Sequence, residues 1–160
     1  MNEDELEELT ERHEREEIWN QVRAAFESRD RPSEPLVYEI HPLAEDVQCV
    51  LSGKTWEDVT AHDLQQIRLD LHFLRPEAFW YYFLAIAWHA LVGEEPVDDP
   101  AGWTVVVLTP RESQDVQLLD RFVASLSREE RSAVSRFIRW HSDEESYLPN
   151  RENLLEFWSR

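Results

Sequence analysis

The stretch Pro76–Val92 reads PEAFWYYFLAIAWHALV and is the most apolar segment of the chain. From Ala78 onward, its only strongly polar residue is His89. A membrane-spanning helix needs roughly 20 apolar residues, and this run is about five residues short of that length. Arg75 and Glu77 also border it with charges. The stretch therefore predicts a helix buried in a protein core, with the other elements packed around it.

Helix start and stop signals frame this central stretch. Pro76 suits a first helical turn, where the missing N–H costs nothing, and Gly93 closes the helix. Upstream, Thr60 and Asp63 have the spacing of an N-terminal cap, so we predict a helix that carries Leu71 and Leu74 and stops before Pro76. Two consecutive helices with a tight corner between them follow from this pattern.

Further helices are predicted on both sides of the centre. The apolar residues of the first share one arc at helical spacing: Ile18, Trp19, Val22, Ala25 and Phe26. Short helices are expected at residues 43–51 and 115–125. Ser127–Glu130 is a capping box for the helix that follows it, and Asn150 can cap a last helix.

Two short segments have strand-like composition instead. Residues 36–40 (LVYEI) and 103–109 (WTVVVLT) are rich in β-branched side chains. We therefore predict an all-α or mostly α single-domain bundle around the buried helix 76–92, with one short ribbon (36–40 with 104–108) as an alternative. Residues 1–16 form an acidic N-terminal extension, and residues 17–160 form the helical domain.

Charge and cysteine content limit the classes of partner and compartment. The 160 residues include 34 acidic and 16 basic side chains, which gives a net charge of −18. Such a field repels nucleic acid and anionic membranes and attracts basic proteins.

Cys49 is the only cysteine, which excludes an intrachain disulfide and fits a reducing compartment. The acidic N-terminus lacks the apolar region of a secretory signal, so we expect a cytoplasmic protein.

No catalytic or metal-binding motif is recognisable. The six histidines do not have the spacing of metal ligands, and no Gly-x-Ser-x-Gly turn occurs. We therefore expect neither a metal nor a cofactor. His89, in an otherwise apolar helix, and His72 are the candidates for an enzyme whose carboxylate comes from a distant helix. The structural alternative for His89 is a helix-terminal histidine that is bonded to a neighbouring group.

Three groups of residues are candidates for contact with a partner, and the alternative interpretation of each is a solvated face. The first lies opposite the apolar arc of the N-terminal helix: Leu6, Leu9 and His13. The second is an acidic loop: Glu94, Glu95, Asp98 and Asp99. The third is an arginine stripe, which could bind a phosphate or an acidic surface: Arg128, Arg131, Arg136 and Arg139.

Several motifs, taken in order, resemble a bacterial family known only as domain of unknown function 6714. They are Val22–Phe26 on the first helix, Gly53–Trp56 (GKTW), Leu74–Phe79 (LRPEAF) before the aromatic helix, and Ser127–Ile138. The likeness covers about residues 17–140. Members often carry a proline inside the aromatic helix, where this chain has Leu84, and an upstream cysteine pair that is reduced here to Cys49. The resemblance implies relatives of the fold but no activity.

We therefore predict a non-enzymatic protein-binding module, by analogy with immunity or adaptor proteins. The negative charge and the absence of a catalytic constellation motivate this prediction, and a basic protein is the expected partner. An enzyme with a pocket near His89 and His72 is the alternative. A protein that mimics DNA is a weaker one, because it requires carboxylates arrayed along one face.

Overall fold

α-Helices make up most of the part of the chain that the structure describes. The computed structural model describes residues 1–38, 41–94, 104–105, 107–110, 113–144 and 150–160. Within them, the helices are α1 (Glu3–Phe26), α2 (Pro42–Leu51), α3 (Ala61–Ile67), α4 (Pro76–Leu91), α5 (Ser113–Val123), α6 (Arg128–Glu144) and α7 (Arg151–Trp158). Single 3₁₀ turns lie at Trp56–Asp58 and Leu71–Phe73. The predicted all-α class is confirmed.

Helix α4 lies at the centre of the core. Every residue from Ala78 to Ala87 is buried, so the helix is covered on all sides for almost three turns. It ends at Leu91, and Gly93 donates its N–H back to the Trp88 carbonyl at 2.8 Å. A Cβ on Gly93 would lie 3.0 Å from the His89 backbone, so any side chain at this position would crowd the close return. None of the helices in the described ranges is long and apolar enough to span a membrane.

The C-terminal half of α1 packs against both α4 and α6. Its buried residues include Val22 and Phe26, which recur at helical spacing and face the core. The Phe26 ring stacks on Trp80, with ring centroids 6.1 Å apart, and contacts Phe83 at 5.3 Å. The predicted apolar arc of α1 is therefore the surface that holds this helix in the bundle.

Helices α6 and α7 close the core from the other side. The capping box at the start of α6 is present, since Ser127 Oγ accepts from the Glu130 N–H at 3.1 Å and Glu130 accepts from the Ser127 N–H. Phe137 of α6 contacts Phe83 with centroids 5.3 Å apart. From α7, the Trp158 indole lies 6.5 Å from that of Trp80. Aromatic rings from three helices thus meet around α4.

The alternative of a two-stranded ribbon is wrong for the described residues. Thr104, Val105 and Val107 are helical, and Val37 instead forms an isolated bridge with Leu74. Thr104 and Val105 are fully buried, and packing in a helical core outweighs the weak strand preference of β-branched side chains. Residues 39, 40, 103 and 106 lie outside the described ranges.

Two helix boundaries also differ from the expectation. The helix that starts after Thr60 ends at Ile67, and Leu71 reaches the core from a separate 3₁₀ turn. Asn150 stands at the start of α7, but its backbone is left-handed (φ 59°) and its side chain makes no cap bond. The local sequence therefore predicts that these two helices exist, but the packing of neighbouring elements determines where they begin and end.

Candidate protein-binding surface

The N-terminal half of α1 extends beyond the core. Helix α1 is unbroken from Glu3 to Phe26, but none of the residues 3–17 is buried. This half is about 20 Å long at 1.5 Å per residue. Its start carries a full capping box, in which Asn2 Oδ1 accepts from the Glu5 N–H at 2.8 Å and Glu5 accepts from the Asn2 N–H. A well-formed helix is thus largely exposed to solvent, and at its end Glu17 pairs with Arg136 of α6 at 3.4 Å.

A narrow apolar stripe runs along this half. At 100° per residue, Leu6, Leu9 and His13 fall within one arc of about 60°, opposite the arc that Val22 and Phe26 direct into the core. Leu6 is 58% exposed and Leu9 47% exposed. His13 Nε2 lies 3.1 Å from a Glu17 carboxylate oxygen at the end of the stripe. The stripe predicted from sequence is therefore continuous and faces away from the domain.

Acidic side chains surround the stripe. Residues 3–17 contain nine carboxylates and two arginines, for a net charge of −7. On the helical wheel, Glu5 and Glu16 border one side of the stripe, and Glu3 and Glu17 border the other. The remaining carboxylates cover the rest of the circumference, so they do not form a single row along one face.

The arginine stripe of α6 is divided between internal contacts and solvent. Arg131 donates to the Phe157 carbonyl at 3.2 Å and stacks over the rings of Phe157 and Trp158. Arg136 donates to Gln21 Oε1 at 2.9 Å, which ties α6 to α1. Arg128 and Arg139 lie between them on the wheel and are exposed. Two of the four arginines are therefore structural ties.

The two histidines proposed for catalysis have separate surroundings. His89 Nε2–H donates to the Val59 carbonyl at 3.0 Å, because a carbonyl only accepts. Its Nδ1 is buried and has no hydrogen-bond partner among the described residues. His72 is exposed and lies against Phe73, with ring centroids 4.2 Å apart. His89 thus matches the structural alternative, in which a backbone group holds the ring.

Two further features bear on a possible site, namely metal-ligating side chains and the acidic loop. In the portion of the chain that the structure describes, no cluster of three or more His, Cys, Asp or Glu side chains could hold a metal ion. Glu94 is exposed at the end of α4. Glu95, Asp98 and Asp99 lie outside the described residues.

The Gly-Lys-Thr-Trp turn is a junction that joins three parts of the core. Gly53 adopts a left-handed backbone (φ 75°), which glycine permits without strain. The Lys54 carbonyl accepts from Tyr82 Oη at 2.7 Å and from Arg31 Nε at 3.0 Å. Lys54 Nζ donates to Asp63 Oδ2 at 2.8 Å. The motif therefore fixes the start of α3 against α4.

Asp63 is held ionised in this junction. Burial alone would raise the pKa of its carboxyl, but the hydrogen bonds from Lys54 and from the Thr60 backbone outweigh burial and lower the pKa. Because the folded-state pKa lies below the unfolded one, the stabilisation is complete above the unfolded pKa. It is lost as the pH falls through the folded pKa.

Replacing Asp63 with asparagine should therefore destabilise the protein by about 1–2 kcal/mol at neutral pH, since a charged hydrogen bond is lost. The difference from wild type should shrink as the pH falls from about 5 to 3. Urea denaturation followed by tryptophan fluorescence at a series of pH values measures both effects. Asp46→Asn, on an exposed carboxylate, is the control and should change the stability by no more than about 0.5 kcal/mol. A constant difference for Asp63→Asn across this range would contradict the role of its charge.

A known family covers almost the whole chain. The family described as "Family of unknown function (DUF6714)" matches residues 14–160. The chain belongs to this family. The DUF6714 match includes the core and the packed half of α1, and it leaves out Leu6, Leu9 and His13. No curated protein and no solved structure matches the chain. Membership in DUF6714 confirms the resemblance and carries no activity with it.

Proposed function

We propose that this protein is a non-enzymatic cytoplasmic binding module that captures a basic protein through the N-terminal half of α1. The observation that carries the proposal is the apolar stripe of Leu6, Leu9 and His13 on a helix that is folded but unpacked. The exposed thiol of Cys49, free in the structure, is compatible with a reducing compartment.

The geometry of the stripe suits a helix or groove of matching size. Amphipathic helices bind partners through apolar anchors at spacings of three and four residues, and Leu6, Leu9 and His13 have this spacing. Because α1 is already helical, little ordering is needed before such a contact forms. A complementary surface would present an apolar groove to the two leucines.

Charge decides which partner can approach. A net charge of −7 within 15 residues attracts a surface rich in lysine and arginine and accelerates its association. The same charge opposes pairing with a second copy of this helix, because the carboxylates that border the two stripes would meet. The partner is therefore a basic protein rather than another copy of this chain.

A capture experiment is expected to retain a basic protein. The double variant Leu6→Ser/Leu9→Ser should bind this partner about tenfold to a hundredfold more weakly, since two apolar anchors are lost. The tagged full-length protein would capture partners from the source lysate at low salt, and mass spectrometry would identify them. The affinity of the purified partner would then be measured at increasing salt, where it should fall.

The chain offers a matched control for this experiment. Leu43 and Leu69 are 45% and 52% exposed and lie outside α1, so Leu43→Ser/Leu69→Ser removes similar side chains elsewhere. This control should bind as wild type does. Equal retention by the Leu6/Leu9 variant, or an affinity that salt does not change, would refute the proposal.

A further inference from the structure

A crevice of about 400 Å³ lies at the end of α1 that is opposite the exposed half. It is lined by the loop 29–35, which follows α1, and by Arg75 and Glu77 at the start of α4. This volume is within the range of small-molecule sites, roughly 300–1,000 Å³. The crevice is separated from the Leu6/Leu9 stripe by most of the length of α1, so the two surfaces are independent.

Polar contacts hold the walls of the crevice in place. Arg29 forms a two-pronged ion pair with Glu130 of α6, and Arg31 donates to the Lys54 carbonyl. Glu34 accepts from Ser52 Oγ at 2.7 Å and from Arg31 at 3.3 Å. The loop is therefore fixed from both sides, although it has no regular secondary structure. A rigid wall of this kind favours ligand binding, because little conformational entropy is lost when the ligand binds.

Arg75 is the one arginine of the lining whose terminal amino groups make no hydrogen bond or ion pair within the described structure. Its Nε donates to the Val37 carbonyl at 3.3 Å, which orients the guanidinium plane beside the crevice. Arg29 and Arg31 are already engaged by Glu130 and Glu34. The two free Nη groups of Arg75 form a fork that matches a carboxylate.

Two acidic groups of the lining are also unengaged. Asp30 and Glu77 are exposed and have no hydrogen-bond or ion-pair partner in the described part of the chain. Glu77 and Arg75 both line the crevice at the start of α4, so the lining presents both signs of charge. Net anions such as phosphate are repelled by the overall charge of −18. The lining therefore fits a ligand that carries both charges.

We infer that this crevice binds a free amino acid, with its carboxylate on the Arg75 fork and its ammonium group beside Glu77 and Asp30. The ligand is neutral overall, so the acidic field of the protein does not oppose its entry. Ser33, exposed in the same loop, supplies a hydroxyl for a further hydrogen bond. Pro32 and Pro35, which also line the crevice, offer apolar surface to the side chain of the ligand.

The test is isothermal titration calorimetry of the 160-residue protein with each common amino acid. Ligand concentrations up to about 10 mM would detect dissociation constants in the millimolar range. At least one amino acid should bind. Its amide, which lacks the carboxylate, and its N-acetyl derivative, which lacks the ammonium group, should each bind at least about tenfold more weakly. Failure of all amino acids to bind, or equal binding of either derivative, would overturn the inference.

Substitutions in the lining test whether the amino acid binds in this crevice. Arg75→Gln should weaken it at least about tenfold, and Glu77→Gln should weaken it about threefold to tenfold. Glu77 makes no internal bond, so its variant tests the site even if Arg75→Gln destabilises the loop. Arg139→Gln, which removes an exposed arginine of α6, is the control and should leave the affinity unchanged. Wild-type affinity in both crevice variants would place the binding elsewhere and reject this site.

Discussion

Replacing Trp80 with alanine is expected to lower the free energy of unfolding by about 4 kcal/mol. Trp80 is fully buried in the second turn of α4. Its ring contacts Phe26, Phe79 and Phe83 within α1 and α4, and Phe122 and Trp158 from α5 and α7. Its Nε1–H also donates to the Phe122 carbonyl at 3.0 Å, so the variant leaves both a cavity and an unpaired acceptor.

Trp88→Ala provides the matched control on the same helix. Trp88 is 37% exposed near the C-terminus of α4, so its removal should cost only about 1 kcal/mol. Urea denaturation curves of the wild type and both variants, followed by far-ultraviolet circular dichroism, give the two free energies. Similar losses for Trp80→Ala and Trp88→Ala would contradict the role of Trp80 as a core residue.

Replacing Glu130 with glutamine should destabilise the protein by about 3 kcal/mol, because it leaves the charge of Arg29 without its partner at a largely buried site. The Glu130 side chain is 8% exposed and that of Arg29 is 20% exposed. Burial alone would raise the pKa of Glu130, but the bonds from Arg29 and the Ser127 backbone lower it, so the group stays charged. Glutamine keeps the shape of the cap and removes only the charge.

A double-mutant cycle with Arg29→Gln isolates this pair. We expect a coupling energy of about 1–3 kcal/mol, since the two side chains contact each other directly. Glu129→Gln, on the exposed neighbour in the same helical turn, should change the stability by no more than about 0.5 kcal/mol. Additive losses in the cycle would mean that the pair does not link α6 to the chain that follows α1.

The elements that the sequence predicts well are those whose signals are local. Three kinds of signal act within a few residues and do not depend on distant contacts. They are the proline at the start of α4, the capping boxes at Thr60 and Ser127, and the glycine after α4. The apolar run of α4 identifies the centre of the core because its ten consecutive buried residues leave no polar face.

Features that depend on distant contacts could not be read from the sequence. Arg29 and Glu130 are 101 residues apart, and nothing in either segment indicates the other. The crevice is formed in the same way, since Arg75 and the loop 29–35 meet only after folding. The β-branched residues Thr104 and Val105 show the opposite case, in which a local preference for strand yields to burial between helices.

The unpacked half of α1 also has a consequence for the cooperativity of unfolding. Its helical hydrogen bonds are supported by the cap at Asn2 and by nucleation from the packed half. Opening this half exposes almost no apolar surface, whereas opening residues 18–26 disrupts the core. One continuous helix thus contains two units of different local stability, and a partner bound at Leu6 and Leu9 would join them into one.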